Sequence, residues 1–171
     1  MNVRSVLLPA GLILATAATR FLPHPENFSP VMSVALFGSA VFLNRFAGIA
    51  LAIAAMAVSD YFIGMHSTLP FVYGSMVVAG MLGFFLREKR DALRILGTAF
   101  AGSVVFFLVT NLGVFLVQDL YPRTAAGLVQ CYVMALPFFQ NSLAVDLLFT
   151  AVLFGIYHLA TRTGGTAVKA A

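Results

Sequence analysis

The chain reads as an all-α membrane protein, a bundle of six transmembrane helices with both termini in the cytoplasm. Three observations predict this. Of the 171 residues, 61% are hydrophobic and only 9% charged, against about 25% charged in ordinary soluble domains. The apolar residues fall into six stretches of spanning or near-spanning length, judged at roughly 20 residues per crossing. The ten Lys and Arg lie at the ends of those stretches, where headgroups and water receive them. The stretches use nearly the whole of residues 1–171, which are therefore read as a single integral membrane domain.

The same composition narrows the function. There is no GxxxxGK phosphate loop and no room for a soluble nucleotide-hydrolysing domain, so uphill movement of a solute would draw on an ion gradient or another subunit. A net charge of +4 does not point to nucleic acid, because the cations are scattered and form no basic stripe. No Gly-x-Ser-x-Gly elbow is present, and an enzyme is not expected. The single cysteine, Cys131, cannot close an intrachain disulfide. His24, His66 and Cys131 have the right chemistry for a metal, yet no HxxxH or CxxC spacing supports a site. No cofactor is expected.

Segment 1 covers residues 5–19 and is read as a retained helix. Gly11, Ala15 and Thr19 recur every four positions, giving one face of small residues on which another helix can approach closely. That face serves either packing inside the bundle or docking to a separate membrane subunit. The loop RFLPHPENFSP (20–30) carries three prolines, which oppose a helix and favour an extended path. Segments 2 (30–43) and 3 (46–64) are separated at Asn44 and Arg45, since fusing them would bury Arg45 in lipid at about 2.5–3.5 kcal/mol. Segment 2 is short for a crossing and must lean on its neighbours or on a thinned bilayer.

Segment 4 spans residues 70–86 and ends in the charge cluster REKRD (87–91). Segment 5 covers 95–117 and segment 6 covers 137–160. Between these two, 118–136 is too polar to span fully, and 125–136 is expected to lie at the interface or cap the bundle. With the N-terminus inside, the inner side collects eight Lys and Arg and the outer side only Arg20 and Arg123, as the positive-inside rule requires. Loops 1, 3 and 5, rich in Pro, His, Asn, Tyr and Cys, then face outward.

Carboxylates within the membrane are costly unless paired or hydrated, so each marks a candidate site. Asp146 lies nine residues into segment 6, roughly 13 Å along the axis. Ser142 shares its face, and Asn111 is expected opposite at similar depth. The arrangement is either a polar knot holding segments 5 and 6 together or the floor of an outward cavity. Asp60 is either a helix-end carboxylate in the headgroup region or, with His66, Arg20 and Arg123, part of a polar rim. An outer aromatic set, including Phe21, Tyr61, Tyr73, Tyr121, Phe138 and Phe139, supplies pocket walls or an interfacial belt.

The strings RFLPHPENFSP (20–30), ALFG (35–38), SD (59–60), FVY (71–73), FFLVTNLG (106–113), YP (121–122), GLVQCY (127–132) and PFFQN (137–141) resemble an uncharacterised bacterial family of transport proteins. That family is itself similar to the substrate-binding S components of energy-coupling factor (ECF) vitamin transporters, and the resemblance covers residues 15–155. It implies an ECF S-component-like bundle in the bacterial cytoplasmic (inner) membrane, binding a vitamin-like small molecule under loops 1, 3 and 5. It also implies a coupling subunit with ATPases as partner, or solitary action. S components commonly dock that subunit through Ala-xxx-Ala on helix 1, and Gly11 and Ala15 keep the spacing.

Solitary S-component-like proteins that move cobalamin resemble the chain in size, and are associated with a cysteine in loop 3. Here that loop offers His66 and the cysteine lies in loop 5, so a corrinoid remains one candidate ligand. Under this reading Arg20 and Arg123 meet anionic groups, Tyr73 and Tyr121 form walls, and Asn111, Asn141 and Asp146 form the floor. His24, Asn27, Asp60, His66 and Cys131 complete the substrate-binding set. The alternatives are an ion-coupled secondary transporter using Asp60 and Asp146, an enzyme modifying a bound cofactor through Cys131, or a purely structural membrane protein. Reporter fusions in the 118–124 loop should read as extracytoplasmic and fusions after Arg162 as cytoplasmic; the opposite pattern would reverse the orientation.

Overall fold

A computed structural model describes residues 4–23, 25 and 27–167, and all regular structure among them is helical. Helix α1 (Arg4–Ala18) runs into a 3-10 turn at Thr19–Phe21, followed by α2 (Val31–Val41), α3 (Arg45–Ile63) and α4 (Leu69–Leu82). A second 3-10 turn, Gly83–Leu86, prolongs α4, and α5 (Ala92–Val117) and α6 (Ala125–Ala167) complete the chain. Local chemistry sets these limits. The Asn44 Oδ1 accepts from the backbone N–H of Phe46 and Ala47 at 3.0 and 3.2 Å, which caps α3. Gly64, at φ 136°, ends it in a conformation suited to glycine. The Asp91 carboxylate caps α5 by accepting from the Arg94 N–H at 3.0 Å.

Four helical stretches are long and apolar enough to cross a membrane: Arg45–Ile63, Leu69–Leu86, Ala92–Val117 and Ala125–Arg162. Their outward residues fit a membrane-embedded protein, with Phe85, Leu108, Val133 and Leu148 all exposed. The shorter helices α1 and α2 complete the bundle. As the interruption at Asn44 predicts, α2 and α3 are separate helices joined by a tight turn.

Helix α2 is the centre of the fold. Every residue from Val31 to Ala40 is buried, and α2 touches all five other helices. Its 11 residues measure about 16 Å, half the hydrocarbon thickness, so its ends stop inside the protein. An α-helix leaves backbone N–H groups unpaired at its start and carbonyls at its end, and charged side chains meet both. At the start, the Asp146 carboxylate accepts from the Ser33 N–H at 3.3 Å. Beyond its last turns, Arg87 donates to the carbonyls of Ser39 (3.0 Å), Phe42 (2.7 Å) and Leu43 (3.2 Å), and Arg90 to that of Ala40 (2.6 Å). Anion at the N-terminus and cations at the C-terminus also suit the helix dipole. The basic cluster after segment 4 is thus a cap as well as a membrane anchor.

Close approach of α2 and α3 rests on Gly38 and Gly48. A Cβ on either would run into the other's backbone carbonyl, which is why small residues are needed where two helix backbones touch.

Two expectations change. Segment 6 does not begin at Pro137: α6 is one helix from Ala125, with Pro137 inside it. Residues 125–136 neither lie flat nor cap the bundle; they run along α5, with the Tyr132 hydroxyl donating to the Leu108 carbonyl at 2.8 Å. Pro137 reads as a helix start because proline favours the first turn, but neighbouring helices let a membrane helix continue through it. The small face of α1 does not pack inside the bundle at its first two positions, since Gly11 and Ala15 are exposed; Ile13, Thr16 and Ala17 face the interior.

Replacing Asp146 by Leu should strand the α2 N–H groups, at about 1–3 kcal/mol per unsatisfied group, while the Ser103 hydroxyl can turn to the Ala99 carbonyl 3.2 Å away. Asp146→Asn keeps an acceptor and should lose far less. Thermal melts of the purified variants check the order, and equal losses would refute the capping role.

Candidate functional site

A cavity of about 230 Å³ opens where the loop before α2, the start of α4, the second half of α5 and the middle of α6 meet. Its polar lining comes from Asn27, His66, Thr68, Thr110, Asn111 and Ser142. Phe106, Phe107, Phe138 and Phe139 form most of the apolar wall, with Val31 at the first residue of α2. The ring centroids of Phe107 and Phe139 stand 4.8 Å apart, which ties α5 to α6 across the cavity.

The α5–α6 pair makes room for it. Ser103 on α5 donates to the Asp146 Oδ2 at 2.9 Å, and the Cys131 Sγ reaches the Asn111 carbonyl at 3.4 Å. Between these two contacts α5 advances eight residues (103 to 111) and α6 fifteen (131 to 146). Helix α6 therefore takes the longer path, and the cavity-lining residues Ala135, Phe138, Phe139 and Ser142 belong to that stretch.

Most of the polar liners have a local partner. Thr110 donates to the Phe106 carbonyl at 2.7 Å and the Asn111 amide to the Phe107 carbonyl at 2.8 Å. Ser142 donates to the Asn27 carbonyl at 3.1 Å, which fixes the loop to α6. The His66 Nδ1 and the Thr68 hydroxyl are 2.8 Å apart. Asn27 itself, with φ 57°, takes the left-handed conformation that asparagine tolerates better than most residues.

A second polar cluster stands apart from the cavity. Arg20 pairs with Asp60 at 2.6 Å, with side chains only 13% and 3% exposed. Tyr73 donates to the other Asp60 oxygen at 2.8 Å, and Arg20 also donates to the Ser59 hydroxyl and to the Met56 carbonyl at 3.3 Å. The network joins the end of α1 to α3 and α4. Buried charges require such pairing, and here every charge is matched.

Over residues 1–167 the chain matches a family described as a family of unknown function, DUF6580. The chain belongs to that family. No curated protein and no solved structure matches it.

The sequence-predicted residues of this DUF6580 protein divide into four groups. Asn27, His66 and Asn111 line the cavity. Arg20, Asp60 and Tyr73 form the separate network, in which Arg20 meets an anion of the protein itself. Asp146 binds α2 and Ser103, and the cavity lining does not include it; its place is that of the polar knot. Asn111 does not stand opposite Asp146, because Ser103, two helical turns earlier, occupies that position.

The rest lie elsewhere. Arg123 is exposed, pairs with Asp119 at 3.1 Å and donates to the Phe115 carbonyl, so it shares no rim with Arg20. Half-buried Tyr121 and Asn141 and buried Cys131 are not among the cavity's liners. His24 falls outside the described residues, and among the described residues no three His, Cys, Asp or Glu side chains gather as a metal site. Of the outer aromatics, Phe138 and Phe139 reach the cavity, while Phe21 and Tyr61 are exposed in the manner of an interfacial belt. Sequence reasoning missed Thr68, Phe106, Phe107 and Thr110. Ser103, Phe106, Phe107, Thr110, Asn111 and Val114 recur at helical spacing on one face of α5, a signal a closer reading of that segment contains.

Arg20→Met should leave Asp60 buried without its cation and cost about 3–5 kcal/mol. The double variant Arg20→Met/Asp60→Leu should recover much of that loss. Denaturation of the single and double variants decides it; a double variant no better than the single one would contradict this account.

Proposed function

We propose that this DUF6580 protein is a substrate-binding membrane protein for uptake of a vitamin-like micronutrient across a bacterial cytoplasmic membrane. In this reading the chain is a six-crossing, S-component-like bundle, and the cavity under loops 1 and 3 is its outward-facing site. The observation that carries the reading is the cavity: a concave chamber with aromatic walls and a few placed polar groups, which is the usual make-up of a small-molecule site. The positive-inside count puts the loops above it on the outer face. The exposed Gly11 and Ala15 face is available to an ECF coupling subunit with its ATPases.

Size narrows the ligand. At about 230 Å³ the chamber falls below the roughly 300–1,000 Å³ of sites for drug-sized ligands, which supports a one- or two-ring molecule over a corrinoid. The ion-coupled reading has less support, because Asp60 and Asp146 are both engaged by internal partners. The enzyme reading has less still, since the Cys131 thiol is buried against the Asn111 carbonyl.

Calorimetric titration of the purified protein with a panel of vitamins and their precursors should find a binder. Phe139→Ala should weaken it about tenfold, or ~1.4 kcal/mol, and cells carrying the protein should accumulate that compound. Silence across the panel would overturn the proposal.

A further inference from the structure

The hydrogen-bonding inventory of the cavity says more about its ligand than its size does, and it rests on the uptake reading of the same site. Among the described residues lining the chamber there is no Asp, Glu, Lys or Arg. The nearest candidates for binding an anion are occupied: Arg20 is held by Asp60 and Arg123 by Asp119. The α2 N-terminus is likewise taken, by Asp146. A carboxylate or phosphate can only accept hydrogen bonds, and burying one without a cation or a set of donors is costly.

The polar side chains that remain offer hydroxyl lone pairs together with the amide groups of Asn27 and Asn111. The Thr110 hydroxyl proton goes to the Phe106 carbonyl, that of Ser142 to the Asn27 carbonyl, and the Asn111 amide to the Phe107 carbonyl. Thr110 Oγ1 and Ser142 Oγ are left to a ligand as acceptors, while Asn111 keeps its Oδ1 and the second of its two amide N–H groups. A permanent cation is disfavoured for a different reason. No carboxylate lines the chamber, and the Thr68 start of α4 borders it, presenting the positive end of a helix dipole.

We infer that the cavity selects an uncharged, flat ring compound that donates N–H or O–H hydrogen bonds, and that it rejects both carboxylate-bearing and permanently cationic relatives of the same ring. The Phe106, Phe107, Phe138 and Phe139 side chains of the lining give a flat ring an aromatic wall to pack against. Recognition then runs from ligand donors to protein acceptors, with Thr110 and Ser142 as the specifying pair.

The test is a matched library of one- and two-ring nitrogen heterocycles, each carried as its primary amide, its carboxylate and its N-methyl cation. Each member is added to the purified protein and read by the shift in melting temperature. Amides should raise the melting temperature, and their carboxylate and cationic partners should not. Thr110→Val keeps the side-chain shape but removes an acceptor, and it should weaken the best amide at least about fivefold. Ala135→Phe, which fills the chamber, should abolish the shift. Carboxylates or cations that match the amides and lose their effect in Ala135→Phe overturn the ligand class while leaving the uptake reading in place. Amide shifts that survive Thr110→Val and Ala135→Phe, or no shift from any member, overturn the inference, and the accumulation assay then judges the uptake reading separately.

Discussion

A helix too short to cross the bilayer, buried whole, imposes the constraint on which this fold depends. Lipid and packed side chains provide no water for unpaired backbone groups, so each end of α2 needs partners from elsewhere in the chain. Asp146 comes from the middle of α6 to the start of α2, and Arg87 and Arg90 come from beyond α4 to its end. These contacts fix the depth of α6 and of the α4–α5 turn relative to the centre. The Gly38–Gly48 approach then sets α3 against α2 with no side chain between.

The cavity follows from that arrangement. Asp146 anchors α6 at the level of the α2 N-terminus, and Ser142, one turn away, holds the incoming loop through the Asn27 carbonyl. From Asp146 back to Cys131, α6 runs fifteen residues against eight of α5, and the two helices stay in touch through the Phe107 and Phe139 rings. The intervening stretch contains Pro137, whose ring removes one backbone donor from the helix. Aromatic side chains bridge this gap, Phe107 against Phe139, and the cavity lies beside them. The Arg20–Asp60–Tyr73 network stands outside this gap and serves another end, locking α1 to α3 and α4.

Much of this was legible in the residues. Hydropathy and charge identify an all-helical membrane protein, Asn44 marks the break before α3, and Asp146 and Asp60 read as carboxylates that need partners. Which partners they take was not legible, because a one-dimensional pattern gives depth along a helix but not the neighbour across it. Asn111 and Ser103 both face α6 from α5, and only the packing of α2 decides that Ser103 meets Asp146. The role of Arg87 was hidden for a related reason: a cation after an apolar segment reads as a headgroup anchor, and nothing local reveals that a neighbouring helix ends within its reach. Pro137 misled because its preference for helix starts is learned where water can compete for the freed carbonyl.

The chemistry of the cavity is itself a consequence of membrane physics. A Ser or Thr in a helix surrounded by lipid satisfies its proton most cheaply on the carbonyl one turn back. That pattern recurs along α5 and α6, where Thr98, Thr110 and Thr161 all donate to the carbonyl four residues earlier. Such a side chain has spent its only donor on its own backbone and can show a ligand only lone pairs. A chamber between such helices lacks charged donors unless an Arg or a Lys enters it, and in this protein Arg87 and Arg90 seal the end of α2 while Arg20 balances Asp60. The demand that a buried helix be capped thus reaches the binding surface, by taking from it the charges that an anionic ligand would require.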